Sequence, residues 1–168
     1  LDGEIPPGEE EIFRKVNVVF LLDTSLSMRS RDIAPSRMER ARKEIQNFIL
    51  HRNENIGQVG LVSFAGSSVI LSYLTADTSN ILFYLDYLRT EVAATFGTDI
   101  GAGFKNALLL VEKELEADES LESEDLIFIL ISDGEDHGDA LREGVQKAIT
   151  LGLRTYCVGL GTQLGGYI

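Results

Sequence analysis

The chain has 168 residues, with 27 acidic against 15 basic side chains, a formal charge of −12 and 44% hydrophobic residues. That length and composition fit one globular domain with a sizeable core and exclude wholesale disorder. The acidic balance disfavours nucleic acid and anionic membrane surfaces, which both require Lys and Arg, and the single Cys157 excludes an internal disulfide.

Residues 1–13 hold Gly3, Pro6, Pro7 and Gly8 among acids and are expected to form a flexible acidic lead-in, with residues 14–168 as the domain. Val16–Leu22 is a nearly continuous apolar run, as in a strand covered on both faces. Ser36 and Glu39 make a capping box, and Met38, Ala41, Ile45, Phe48 and Ile49 behind it give a helix to about His51. Val59–Phe64 and Val69–Leu74, separated by Ala65-Gly66-Ser67-Ser68, predict a hairpin. Helices follow over about Ser79 to Arg89 and Ile100 to Ala117, the second with Phe104, Leu108, Val111 and Leu115 on one face. Leu126–Ile131 is the fourth strand. Leu141, Val145, Ala148 and Ile149 mark a further helix, and Leu153–Val158 the fifth strand, in which Cys157 is expected to be buried and inert.

This alternation predicts an α/β fold: a doubly wound, Rossmann-like, mostly parallel sheet with one antiparallel edge strand and helices on both faces. Ligands of such sheets sit beyond the carboxyl ends of the strands. There the first strand runs into Asp23-Thr24-Ser25-Leu26-Ser27 and the fourth into Ser132-Asp133-Gly134-Glu135, while Phe96-Gly97-Thr98-Asp99 precedes the long helix. These segments are rich in small oxygen donors, which suit Mg²⁺, Mn²⁺ or Ca²⁺. Asp23, Ser25 and Ser27 alternate, so along an extended loop they would converge on one ion. Strand-end turns and helix caps use the same residues, but three such segments on one sheet favour a site.

The D-x-S-x-S stretch, the Gly-Thr-Asp before a helix and the S-D-G-E resemble the metal-ion-dependent adhesion site of a von Willebrand factor type A domain, over about residues 16–161. More narrowly, Asp32-Ile33-Ala34-Pro35-Ser36-Arg37-Met38-Glu39, Val59-Gly60-Leu61-Val62-Ser63-Phe64-Ala65-Gly66 and Gly159-Leu160-Gly161-Thr162 resemble the bacterial aerotolerance (Bat-type) members. The resemblance implies a non-catalytic module that binds a partner's Asp or Glu through Mg²⁺, with Mn²⁺ or Ca²⁺ as other ions. It implies direct contacts from Ser25, Ser27 and Thr98. Asp23 and Asp133 would act mainly through hydrogen bonds or water, with Asp99 a further candidate. It also implies a parent protein tethered to the inner membrane beside a MoxR-like AAA-type ATPase. The family fold usually continues with another helix, a sixth strand and a final helix, so this chain, beginning with Leu and stopping at Ile168, is expected to be a C-terminally truncated piece.

Two other functions fit the residues: a Mg²⁺-dependent phosphohydrolase with Asp23 as nucleophile, and a structural module with a vestigial metal site whose acidic 112–143 segment, carrying −11, does the binding. The phosphohydrolase usually needs a second Asp where Ser25 stands. Glu135, Asp136 and His137 are read as the lead into the next helix, whose N-terminus suits the two acids, rather than as an acid/base cluster. His51 is read as a surface residue at a helix end. Arg29, Arg31, Arg37, Arg40, Arg42 and Lys43 are read as a solvated helix face, with an acid-attracting rim as the sharper alternative. No apolar run approaches the ~18 residues of a membrane-spanning helix, so any membrane contact would come through flanking segments.

Overall fold

A computed structural model describes residues 14–90, 97–163 and 165. The expected lead-in, residues 1–13, and Phe96 lie outside them. In chain order the elements are β1 (Val16–Asp23), a 3-10 turn (Leu26–Arg29), α1 (Arg37–His51), β2 (Ile56–Phe64), β3 (Ser68–Thr75), α2 (Ser79–Thr90), α3 (Ile100–Ala117), β4 (Leu126–Ser132), α4 (Leu141–Thr150) and β5 (Arg154–Gly159). The sheet order is β3-β2-β1-β4-β5, with β2 and β3 antiparallel and every other pair parallel. The doubly wound sheet with its antiparallel edge strand is therefore as the sequence predicts.

β1 is central, and its side chains alternate between two cores. Val18, Phe20 and Leu22 face α1 and α2, packing with Ile45, Leu61, Ile81 and Leu85. Val19 and Leu21 face α3, packing with Phe64, Phe104, Leu110 and Phe128. Edge-to-face aromatic pairs occur on both sides, Phe20 with Phe48 at 5.2 Å and Phe104 with Phe128 at 6.0 Å. Ser36 caps α1 as expected, its hydroxyl accepting from the Glu39 amide at 3.1 Å. The Glu39 carboxylate turns to Arg42 instead of closing the box. Ser36→Ala should cost about 1 kcal/mol in urea unfolding, the usual value of a lost cap.

α4 sits on α3 through glycines. A Cβ at Gly144 would stand 2.7 Å from the Phe104 Cβ, and one at Gly101 would stand 2.5 Å from the Ala140 carbonyl carbon and the Leu141 nitrogen. This close approach fixes the loop from Asp133 to Ala140 over the start of α3.

Three expectations are corrected. Cys157 is exposed, because β5 is an edge strand exposed along all six residues. On α4 only Ala148 of the expected apolar stripe is buried, while Val145 and Ile149 are exposed. No helix begins directly after Asp133; α4 starts at Leu141. His51 is exposed at the end of α1, as expected.

Candidate metal centre

The register of β1 between β2 and β4 brings the expected loops to one edge. Leu22 lies beside Ile131 and Asp23 beside Phe64. Asp23 is fully buried. One of its oxygens accepts from the Ser25 amide at 2.8 Å and the other from the Ser132 hydroxyl at 2.6 Å. The Gly134 amide in turn donates to Ser132 at 3.0 Å. One carboxylate thereby ties the loop after β1 to the loop after β4.

Ser25 and Ser27 do not alternate along an extended loop. Ser25 precedes the 3-10 turn and Ser27 lies within it, and that turn brings their hydroxyls to 3.0 Å. Thr24 anchors the loop by donating its amide and hydroxyl to the Phe64 carbonyl, at 2.7 and 3.0 Å.

Thr98, 3% exposed, reaches the same edge by backbone bonds. The Asp99 amide donates to the Ala65 carbonyl at 2.7 Å, and the His137 amide donates to the Thr98 carbonyl at 2.8 Å. Gly97 turns the chain with φ 89°, in the left-handed region that favours glycine. The start of α3 is capped twice: Asp99 accepts from the Ala102 amide at 2.8 Å and Asp136 from the Ile100 amide at 3.0 Å. Asp136 is therefore an N-terminal acid, but of α3 rather than of the helix that follows it.

Asp133 is held by a residue that pattern reading misplaced. Its Oδ2 accepts from Arg37 Nη1 at 2.7 Å, while Arg37 Nε and Nη2 each reach Asp32 at 2.9 Å. Arg37 is buried, and so is Arg42, which pairs with Asp86 and Glu39. Arg29, Arg31, Arg40 and Lys43 are exposed, so the basic segment is only partly a solvated face. Arg37 opens α1, where the helix dipole disfavours a cation. That mismatch was the available signal that it has acidic partners.

Burial pushes the Asp23 carboxyl up from its ordinary range. Hydrogen bonds from Ser132 and Ser25 oppose the rise, and the Asp133 charge adds to it. The Arg37 hydrogen bonds hold Asp32 well below the usual carboxylate range. Among the described residues no group of three or more His, Cys, Asp or Glu could hold a metal, so any ion here would depend on hydroxyl oxygens.

The family model for the von Willebrand factor type A domain matches residues 18–135. The inter-alpha-trypsin inhibitor heavy chain H4 of Sus scrofa is 30% identical over 151 residues, 86% of this chain and 16% of that protein. A UPF0353 protein of Nocardia farcinica is 30% identical over 99 residues, 58% of this chain and 28% of that one. The chain thus spans less than a third of either curated relative. An aerotolerance-related membrane protein from Bacteroides fragilis superposes with a TM-score of 0.76 at 25% identity, over 91% of this chain and 71% of that one. The conserved hypothetical protein BatB from Bacteroides thetaiotaomicron gives 0.73 at 26%, over 90% and 69%. Two structures below 20% identity share the fold. The manganese-loaded TRAP protein of Plasmodium vivax gives 0.69 at 16% identity, over 89% and 59%. Proximal thread matrix protein 1 of the mussel byssus, with a zinc-occupied MIDAS motif, gives 0.65 at 19%, over 92% and 39%.

Proposed function

The chain belongs to the von Willebrand factor type A family, and on that premise we propose that it is a non-catalytic, metal-dependent module for binding a protein carboxylate. The observation that carries this reading is the pair of Ser25 and Ser27 hydroxyls 3.0 Å apart beside the buried Asp23. Those two hydroxyls hydrogen-bond each other at 3.0 Å, and a hard divalent ion such as Mg²⁺, Mn²⁺ or Ca²⁺ would accept their lone pairs in place of that bond.

Ser25, Ser27 and Thr98 supply the hydroxyl oxygens. Asp23 fixes the loop that presents the first two and, with Asp133, orients hydroxyls and waters through hydrogen bonds. Neutral direct ligands leave a divalent ion electropositive, and its chemistry is that of a Lewis acid accepting a carboxylate oxygen. The partner is a protein presenting Asp or Glu. In the whole protein we infer a membrane tether, supported by likeness to an aerotolerance-related membrane protein; a MoxR-like ATPase neighbour is inferred only from the resemblance to the Bat-type members. Among the described residues no helix is long and apolar enough to cross a membrane.

The phosphohydrolase reading has little support. Asp23 is fully buried with both oxygens accepting hydrogen bonds, a poor position from which to attack phosphorus.

Calorimetric titration should detect binding of Mg²⁺ or Mn²⁺, and comparison with Ca²⁺ would set the ion preference. Capture of partners in Mg²⁺ should be lost in EDTA. Capture that depends on salt but not on EDTA would support a vestigial site, and no ion binding at all would overturn the proposal.

A further inference from the structure

Arg37 is the hub of a polar network that runs away from the site. Its three donors reach both oxygens of Asp32 and one of Asp133. Asp32 also accepts from the Ser30 hydroxyl at 3.1 Å, the Thr162 amide at 2.8 Å and the Thr162 hydroxyl at 3.2 Å. The backbone at Gly161 lies against the guanidinium, where a Cβ would stand 3.4 Å from Nη2. The Leu160 amide donates to the Ser132 carbonyl at 2.9 Å. A continuous chain, Asp133–Arg37–Asp32–Thr162, therefore joins the loop after β4 to the segment after β5.

We propose that Arg37 is a positioning residue with two effects: it offsets the charge of Asp133 beside the metal centre, and it makes the placement of Asp133 depend on the Thr162 segment. The first effect rests on the metal-site reading above; the second does not.

Each negative charge near a divalent ion, such as those of Asp23 and Asp133, strengthens its hold on the protein and weakens its attraction for an anionic ligand. Asp32, which takes the other two guanidinium donors, carries a third negative charge, so Arg37 holds the four groups at −2 where its loss would leave −3. Repulsion of the ion weakens metal binding while strengthening the hold on a carboxylate. The planar fork is what spans both aspartates; an ammonium at the same place keeps the charge but not the geometry. The side chains of Asp32 and Asp133 are 4% and 2% exposed, so solvent does little to loosen the network.

Three measurements test this on the chain and its Arg37→Gln and Arg37→Lys variants. Mn²⁺ affinity is read by calorimetry, acetate affinity for the Mn²⁺-loaded chain by water proton relaxation, and Thr162 amide exchange by NMR without metal. Arg37→Gln should bind Mn²⁺ about 3–10-fold tighter, bind acetate at least ~5-fold more weakly, and exchange the Thr162 amide at least ~10-fold faster. Arg37→Lys should keep both affinities within ~3-fold of the parent but share the faster exchange. If Arg37→Gln weakens Mn²⁺ and acetate together, the charge-offset role is overturned, and unchanged Thr162 exchange overturns the coupling. If the parent chain binds no Mn²⁺, the metal-site reading and the charge-offset role fall, and the exchange data still decide the coupling. Should Arg37→Gln fail to fold, Asp32→Asn replaces it: losing a negative charge it should bind Mn²⁺ about 3–10-fold more weakly and exchange the Thr162 amide faster, and tighter Mn²⁺ binding or unchanged Thr162 exchange overturns the proposal.

Discussion

Asp23→Asn should raise the melting temperature of the metal-free chain and reduce its Mg²⁺ affinity by about 10–100-fold, the usual effect of losing a residue that orients metal ligands. Both halves come from the same burial. The folded state lifts the Asp23 carboxyl above its unfolded value, so the native chain binds more protons than the unfolded chain between those two values. Stability therefore falls as pH rises through that window, which opens near the unperturbed aspartate value of about 3.9 and closes above the folded-state value. Asparagine does not titrate. Its carbonyl can accept from Ser25 and its amide can donate to Ser132, so the loop keeps its ties. The melting difference between variant and parent should be small near pH 4, grow through the window and then level off. In a chain of this size each kcal/mol moves the melting temperature by about 2–4 °C. Asp32, Asp77, Asp118 and Glu122, held low by their hydrogen bonds, act the opposite way and lose their contribution as pH falls. They are common to both proteins and cancel in the difference. Mg²⁺ at 100 times its dissociation constant should stabilise the parent by about 2.7 kcal/mol and the variant by far less. A variant that melts lower without metal, or that keeps full Mg²⁺ affinity, would refute the assignment.

The elements were legible because their signals are local. Val16–Leu22, broken only by Asn17, and Leu126–Ile131 are apolar runs, as strands covered on both faces must be, and α3 follows the periodicity of Phe104, Leu108 and Val111. The three loops of the candidate site were legible for the same reason: each follows a strand or precedes a helix in its own stretch of sequence. What pattern reading missed is every partner that comes from elsewhere in the chain. Arg37 meets Asp133 across 96 positions, and Asp136 caps a helix that starts 36 residues earlier. Ser132 stands in a motif visible in the sequence, yet its service to Asp23, 109 residues away, depends on β1 and β4 being neighbours. The exposure of Cys157, Val145 and Ile149 belongs to the same class. An apolar strand or stripe announces that it would gain by burial, but what covers it is a property of its place in the sheet.

Gly101→Ala should cost about 2–3 kcal/mol in urea unfolding, in the range of overpacked interiors, and weaken Mg²⁺ binding by about tenfold although Gly101 touches no candidate ligand. The added Cβ would stand 2.5 Å from the Ala140 carbonyl carbon and the Leu141 nitrogen. Both are backbone atoms, so no flexible side chain can swing aside, and α4 and its leading loop must move off α3. That loop carries Asp136, whose carboxylate caps Ile100, and His137, whose amide holds the Thr98 carbonyl at 2.8 Å. Displacing it releases Thr98 from one side while Ala65 still holds Asp99 from the other. Helix propensity runs the other way, since alanine is favoured over glycine within a helix by about 1 kcal/mol, so a net loss understates the steric cost by about that amount. Gly144→Ala places its Cβ 2.7 Å from the Phe104 Cβ and should destabilise the same seam. It tilts α4 from a point further from Thr98, so its effect on Mg²⁺ affinity should be the smaller of the two. Equal losses of stability with unequal losses of affinity would tie the seam to the site. Unchanged Mg²⁺ affinity in Gly101→Ala, with stability lowered, would show that Thr98 is held without the α3–α4 contact.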